Sequence, residues 1–541
     1  MSDILTPFTP EIEILDTTLR DGAQSDGISF SVRDKLDLVR ALDDAGISII
    51  EAGNPGAVPK DMEVFHALKN VRLKRARLAA FSATRRKNTA AEDDPLLAAL
   101  VSCGAPFAVI FGKSSRAHAE NVLGVSRAEN LAMIADSIRF LRSRGLTVLY
   151  DAEHYFDAFA EDRDYAVETV RTALRAGAAQ IVLCDSKGGS LPSDISAVTA
   201  ETIRLTGCPS VGIHCHNDMG LAVAGSMSAV EAGARHVQGT FLGFGERCGN
   251  TNLSTLIPNL QLKLGYAVVP EECLQRFTRV ATLIADVSNK RLHRDLPYVG
   301  RCAFAHKAGM HVDAMLKYKG AYEHIDPSLV GNIRQLPVSE FAGRQTLVAK
   351  FPQFFPNCEK DSPELLRVLN SLKAREAAGY QYEAAEGSLE LLIRRELGQM
   401  RDFFELIDCK LIDQQPVRTG ASASALVKIR VSGRNELAAA EGDGPVHAID
   451  SALRTALNRF YPSLGRTHLT DYKVRVLTPE SATAAKVRVL IISTDGETEW
   501  STVGVSADII EASYTALRDS IEIKLIHDAE QGTLNCTAQT V

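Results

Sequence analysis

A chain of 541 residues with 45% hydrophobic and 23% charged residues has the length for about three or four structural units and the composition of a globular protein with a large core. Its net charge of -7, with no long basic run, argues against nucleic acid or an anionic membrane as a partner. No apolar run approaches the roughly 20 residues that span a bilayer, the opening MSDILTPFTP lacks the blocks of a signal peptide, and ten cysteines without a CxxC pair fit free thiols in a reducing cytosol.

Residues 11–17 (EIEILDT) are the first strand candidate, and a turn-rich segment follows from Arg20-Asp21-Gly22 to Gly27. Ser31, with Asp34 three residues on, marks a helix start, and Val32, Leu36, Val39 and Leu42 give that helix an apolar stripe. Gly46 ends it, and residues 47–51 begin the next strand. The unit then recurs, with strands predicted at 77–82, 107–111, 147–151, 180–185, 211–216 and 236–241, and helices at 127–143, 164–176 and 221–232. Eight strands, each leading towards a helix, within roughly 270 residues predict an α/β fold of the (β/α)8 TIM-barrel type. A doubly wound open sheet would carry a glycine-rich fingerprint after its first strand, where this chain reads LRDGAQ.

In a barrel the reactive groups sit at the C-terminal ends of the strands. The unusual residues of this chain fall there: Arg20 and Asp21; Glu51 with Gly53-Asn54-Pro55-Gly56; Asp151, Glu153 and His154; Asp185-Ser186-Lys187; His214 to Asp218; and Gly243 to Asn250. Any one of these alone reads as a surface turn, but their joint placement at one rim does not. The stretch VGIHCHNDMG (211–220) adds geometry. Side chains alternate along a strand, so His214 and His216 share one face and Cys215 takes the other. Their Cα atoms lie roughly 6–7 Å apart, close enough for both imidazoles to reach one metal ion at about 2.0–2.1 Å.

The motifs LDTTLRDG, GIHCHNDMGLA, GERCGN and FAHKAGMHV resemble those of the Claisen-condensing branch of the DRE-TIM metallolyases, which contains the 2-isopropylmalate, homocitrate and citramalate synthases. GISFSVRDK, NPGAVPKDME, YEHIDPSLVGN and GYQYEAAEGSLELL are most similar to the bacterial citramalate type, and the resemblance runs from about Ile14 onward. It implies Asp21, His214, His216 and Asn250 as metal ligands, Arg20 as the catalytic arginine and Glu153 as the acid at the end of the fifth strand. It further implies that His311 and Tyr322 reach the site from a partner subunit, so that a homodimer is required. Gln24, Glu51 and Ser186, with Gly243, Gly245 and Gly249 of the loop assigned to acetyl-CoA, complete the substrate contacts so implied. Three positions depart from the citramalate pattern: Asn54 replaces a tryptophan, Ser186-Lys187 replaces Thr-Asn, and Ala23 replaces a larger or polar residue. They bear on which 2-oxo acid is taken.

Two imidazoles, a carboxylate and an amide oxygen suit Mg²⁺, Mn²⁺ or Zn²⁺, and without a thiolate they do not read as a closed structural zinc site. The expected reaction joins acetyl-CoA to pyruvate, with 2-oxoisovalerate or 2-oxoglutarate as alternative acceptors. Cleavage by a retro-aldol lyase and a non-catalytic barrel are the other classes to be weighed. Cys248 reads as filler and His306 as a packing residue.

The predicted domains are a barrel over 1–285, linker subdomains over 286–400 and a regulatory or dimerisation domain over 401–541. Residues 287–342 read as a linker that arches over a site, and residues 364–396 as a helical subdomain. The last part holds a weak repeat of two or three strands and a helix, with helices expected at 445–457 and 508–521. By resemblance it is an allosteric domain for a branched-chain amino acid, isoleucine being the expected effector.

Overall fold

Eight short strands pair in sequence order and all run parallel: β1 (Glu13–Asp16), β2 (Ile49–Gly53), β3 (Arg77–Ala83), β4 (Phe107–Lys113), β5 (Thr147–Glu153), β6 (Gln180–Asp185), β7 (Val211–Cys215) and β8 (His236–Gly239). β1 pairs with β8, with Leu15 opposite Gln238, so the sheet closes into a barrel. The computed structural model describes residues 10–318, 320–338, 344–355, 362–416, 420 and 422–534. The opening MSDILTPFTP therefore lies outside the described residues, save its final Pro10, as do residues 319, 339–343 and 356–361 of the predicted linker subdomains. Among the described residues no helix is long and apolar enough to cross a membrane.

Local sequence explains the connections. Ser31 Oγ accepts from Asp34 N at 3.1 Å and Asp34 Oδ2 accepts from Ser31 N at 2.7 Å, so the predicted capping box starts the helix Val32–Asp44. The helices Arg127–Ser143, Arg163–Ala176 and Ala222–Glu231 lie within one residue at either end of the spans read from periodicity. Outward strand residues such as Ile14, Ile50, Ile110, Val148 and Cys215 are buried in the larger core cluster beneath these helices. Cys215 thus faces away from the histidines, as strand alternation predicts.

The chain divides into two compact units, Met1–Phe304 with His324–Gln335, and Ala305–Glu323 with Leu336–Val541. The second unit carries the helices Pro363–Ala377 and Glu386–Glu396, then two three-stranded antiparallel sheets. β9 (Glu405–Asp413), β10 (Ala423–Val431) and β11 (Arg434–Gly442) precede the helix Pro445–Leu457. β12 (His468–Val476), β13 (Val487–Thr494) and β14 (Glu499–Ser506) precede the helix Ile509–Glu530. That last helix runs nine residues beyond its predicted end at Ile521, because Asp519, Ser520, Glu522 and Asp528 are buried on it and blur the apolar stripe.

Candidate active site

Strand alternation decides what reaches the open end of the barrel. Leu15, Ile49, Ala79, Phe107, Val109 and Leu149 pack together as the barrel's inner core. Two residues further on the same faces stand Thr17, Glu51, Phe81, Phe111 and Asp151. The lower layer is apolar, and the next layer is mixed polar and aromatic.

Arg20 is held by that second layer. Its Nε donates to Glu51 Oε2 at 2.6 Å, and Thr17 Oγ1 donates to the same oxygen at 2.6 Å. The guanidinium lies 3.7 Å from the centre of the Phe81 ring, which stacks on Phe111 at 5.4 Å. Arg20 Nη1 stands 3.4 Å from Asp21 Oδ2. This is a fixed, mostly buried cation, unlike the solvated surface pair that an Arg-Asp turn usually makes.

Asp21, His214 and His216 each offer one ligand atom within 4.8 Å of the others. His214 Nε2 is 3.7 Å from Asp21 Oδ2, and the two imidazole rings are 5.1 Å apart. Asn250 joins them because the loop after β8 folds back: His216 and Asn250 form a bridge, and Asn217 N donates to Gly249 O at 2.9 Å. Asn250 Nδ2 donates to Phe244 O at 3.2 Å, which leaves Oδ1 buried without a hydrogen-bond partner among the described residues. His216 Nδ1 is likewise buried and unpartnered. Orphaned buried acceptors are costly unless something satisfies them.

Electrostatics point the same way. Burial, then the neighbouring His216, pushes His214 down to about 3, and burial likewise lowers His216, so both rings are neutral donors at pH 7. Burial works to raise Asp21, but Arg20, the two imidazoles and the Asn250 amide outweigh it and hold the carboxylate below its usual value. Burial, followed by the charge on Glu51, pushes Asp151 up to about 8. Two neutral nitrogens, one carboxylate and one free amide oxygen fit a divalent ion of the Mg²⁺, Mn²⁺ or Zn²⁺ kind.

The other candidates are placed as follows. Glu153 is ion-paired with Lys113. Ser186 Oγ accepts from His154 N at 2.9 Å, and its carbonyl accepts from Arg247 Nη2 at 2.9 Å. Gln24 is exposed at the end of the short turn Gly22–Gln24. Gly249 has φ +89°, and a Cβ there would meet Gly243 O at 2.0 Å; a Cβ on Gly245 would meet Asn250 Nδ2 at 2.2 Å. These glycines serve the loop's own packing and thereby the aim of Asn250. His311 and Tyr322 belong to the second unit, where their rings stack 4.1 Å apart, and His306 Nε2 lies 3.2 Å from Glu323 Oε1. Thr17, Phe81, Lys113 and Gln238 were not singled out from the sequence; strand register could have found Phe81, two residues beyond the inner-core Ala79.

A closed parallel barrel carries this candidate metal cluster at the ends of its strands, the rim where barrel enzymes place their active sites, and the HMGL-like family profile matches residues 11–284, just over half of the chain. The homocitrate synthase post-HMGL domain-like profile matches residues 298–378, and the LeuA allosteric (dimerisation) domain matches residues 383–525. The chain is 46% identical over 525 residues to the (R)-citramalate synthase of Aquifex aeolicus, covering 97% of this chain and 99% of that one. It is 48% identical to the (R)-citramalate synthase of Synechocystis sp., covering 95% and 96%. It is 31% identical to the 2-isopropylmalate synthase of Listeria innocua, covering 94% and 96%. The chain therefore belongs to the citramalate synthase family of HMGL-like enzymes.

Proposed function

We propose that this chain condenses acetyl-CoA with pyruvate to give (R)-citramalate and CoA, a step towards isoleucine. The observation that carries the reading is the meeting of Asp21, His214, His216 and Asn250 beside Arg20, in a chain that matches (R)-citramalate synthases along nearly its full length. Those four residues would hold a divalent ion, which when bound would act as a Lewis acid on the keto carbonyl of the 2-oxo acid.

The chain's own groups do the rest. Arg20, fixed by Glu51 and Phe81, presents a preorganised positive charge where the keto oxygen becomes an alkoxide. The Phe81 and Phe111 rings line the same layer and favour a small apolar substituent such as a methyl group. A base removes one proton from the acetyl methyl group, the resulting carbanion bonds to the keto carbon, and that oxygen takes up a proton. Water then cleaves the thioester, releasing CoA as the thiol and making the sequence effectively irreversible. By family resemblance the base is His311 with Tyr322, supplied by a second copy of the chain, with Glu153 completing the relay. The active form is then a homodimer, which the LeuA dimerisation match favours. The same domain is proposed to bind isoleucine as a feedback inhibitor.

The test is release of CoA thiol from acetyl-CoA with a panel of 2-oxo acids and Mg²⁺ or Mn²⁺. Pyruvate should give the highest kcat/KM. Preference for 2-oxoisovalerate or 2-oxoglutarate would reassign the substrate, and no thiol release with any acceptor would refute the condensation.

A further inference from the structure

The imidazole of His214 has two nitrogens, and only one can face the candidate metal cluster. Nε2 is the nitrogen beside Asp21 Oδ2, at 3.7 Å. Nδ1 lies 3.1 Å from Gln238 Oε1 on the adjacent strand, in register with it. Gln238 Nε2 in turn donates to Asp151 Oδ1 at 2.8 Å. Asp151 sits on β5, which is not a neighbour of β8, so this contact crosses the inside of the barrel. His214, Gln238 and Asp151 are all at least nine-tenths buried.

A primary amide is polar in one sense only: its oxygen accepts and its nitrogen donates. Turned over, Gln238 would donate to His214 Nδ1. That ring would then carry its proton on Nε2, and Nε2 would have no lone pair to offer a cation. The reversed amide would also set its oxygen against an oxygen of Asp151. With Asp151 Oδ1 accepting from Gln238 Nε2, the amide is held in the orientation in which Gln238 Oε1 accepts from Nδ1–H, and His214 Nε2 keeps its lone pair.

We propose that Gln238 and Asp151 are positioning residues that lock His214 in the tautomer able to ligate a divalent cation. The proposal rests on the reading of Asp21, His214, His216 and Asn250 as a metal site. Groups that orient a ligating histidine are typically worth about 10–100-fold in metal affinity.

The test uses the full-length protein stripped with EDTA and titrated with Mn²⁺, free ion being counted by electron paramagnetic resonance, so that no turnover is needed. Gln238→Leu keeps an apolar body of similar length and removes both polar ends; it should weaken Mn²⁺ binding by about 10-fold or more. Asp151→Asn removes the group that selects the amide's sense and should weaken binding by a smaller factor. The discriminating variant is the swap Gln238→Glu with Asp151→Asn. There the carboxyl group placed at position 238 accepts from Nδ1–H, and the amide placed at position 151 donates to it, so the wiring is restored with its direction unchanged. The swap should bind Mn²⁺ within about threefold of the wild type, a recovery that mere packing damage would not give. Unchanged affinity in Gln238→Leu, or a swap no tighter than Gln238→Leu, would overturn the proposal. If the wild type itself binds no Mn²⁺, the fault lies with the metal reading on which the proposal stands.

Discussion

Replacing Arg20 by lysine keeps a positive charge and removes everything that fixes it. In the structure Nε is committed to Glu51 at 2.6 Å, Nη1 stands 3.4 Å from Asp21, and the guanidinium plane rests 3.7 Å over Phe81. A lysine ammonium is a single point on a flexible stem, so it can satisfy buried Glu51 or face the reacting oxygen, but not both in one geometry. The stacking it forfeits is worth about 0.5–2 kcal/mol at a partly desolvated site. Loss of one preorganised oxyanion partner costs about 100–1,000-fold in kcat, or about 2.7–4 kcal/mol. We therefore expect Arg20→Lys to lower kcat for thiol release about 100-fold or more, with Mn²⁺ affinity within about threefold of wild type because Arg20 offers the metal no lone pair. Arg20→Met should in addition destabilise the fold, since it strands the Glu51 carboxylate, 1% exposed, with Thr17 as its hydroxyl donor. A kcat for Arg20→Lys within about threefold of wild type at saturating metal would refute the assigned role.

Further outcomes follow from the same geometry. His214 is lowered to about 3, and His216 also lies below its usual value, so acid should displace Mn²⁺ only at a pH below the ordinary histidine value of about 6.5; a titration midpoint at or above that value would contradict the burial argument. The stability linkage has the same sign: with the folded pKa depressed, the contribution of neutral His214 is full above about pH 6.5 and falls away as pH drops towards 3. Gly249→Ala forces a side chain into φ +89° and against Gly243 O, so it should displace Asn250 and weaken Mn²⁺ binding while secondary structure by circular dichroism is retained. Mixing an Arg20→Lys chain with a His311→Ala chain should restore about a quarter of wild-type turnover if each site takes His311 from its partner, because half of the random pairs then hold one complete site; no recovery after subunit exchange would place both residues in one protomer. Isoleucine, tested beside leucine, should inhibit thiol release, and indifference to both would leave the C-terminal domain with dimerisation alone.

Much of the barrel was legible because its signals are local. The Ser31–Asp34 capping box is a four-residue pattern, and β6 spans the predicted residues 180–185 because both ends of its apolar run are sharp. The two histidines were legible for the same reason, being separated by one residue at the end of one strand, His214 inside β7 and His216 just past its last residue Cys215. Asp21 and Asn250 took a family resemblance to connect, since they are far apart in sequence and meet only when the barrel closes. Gln238 carried no sequence signal: a lone glutamine in a short strand gains meaning only from Asp151, reached across the barrel interior. Strand register places Phe81 in line with inner-core Ala79, but nothing in the sequence ties it to Arg20, whose guanidinium lies over its ring. The C-terminal repeat was visible as a pattern, but its third strand, Arg434–Gly442, carries alanines and charges in place of a clear apolar alternation.

The most direct test is to count metal per chain. EDTA-stripped wild-type protein titrated with Mn²⁺ should show one tight site per chain, and Asp21→Ala, His214→Ala and His216→Ala should each abolish it while leaving the far-ultraviolet spectrum intact. Full occupancy in any of these three variants, or no tight site in the wild type, would contradict a metal held by these strand ends.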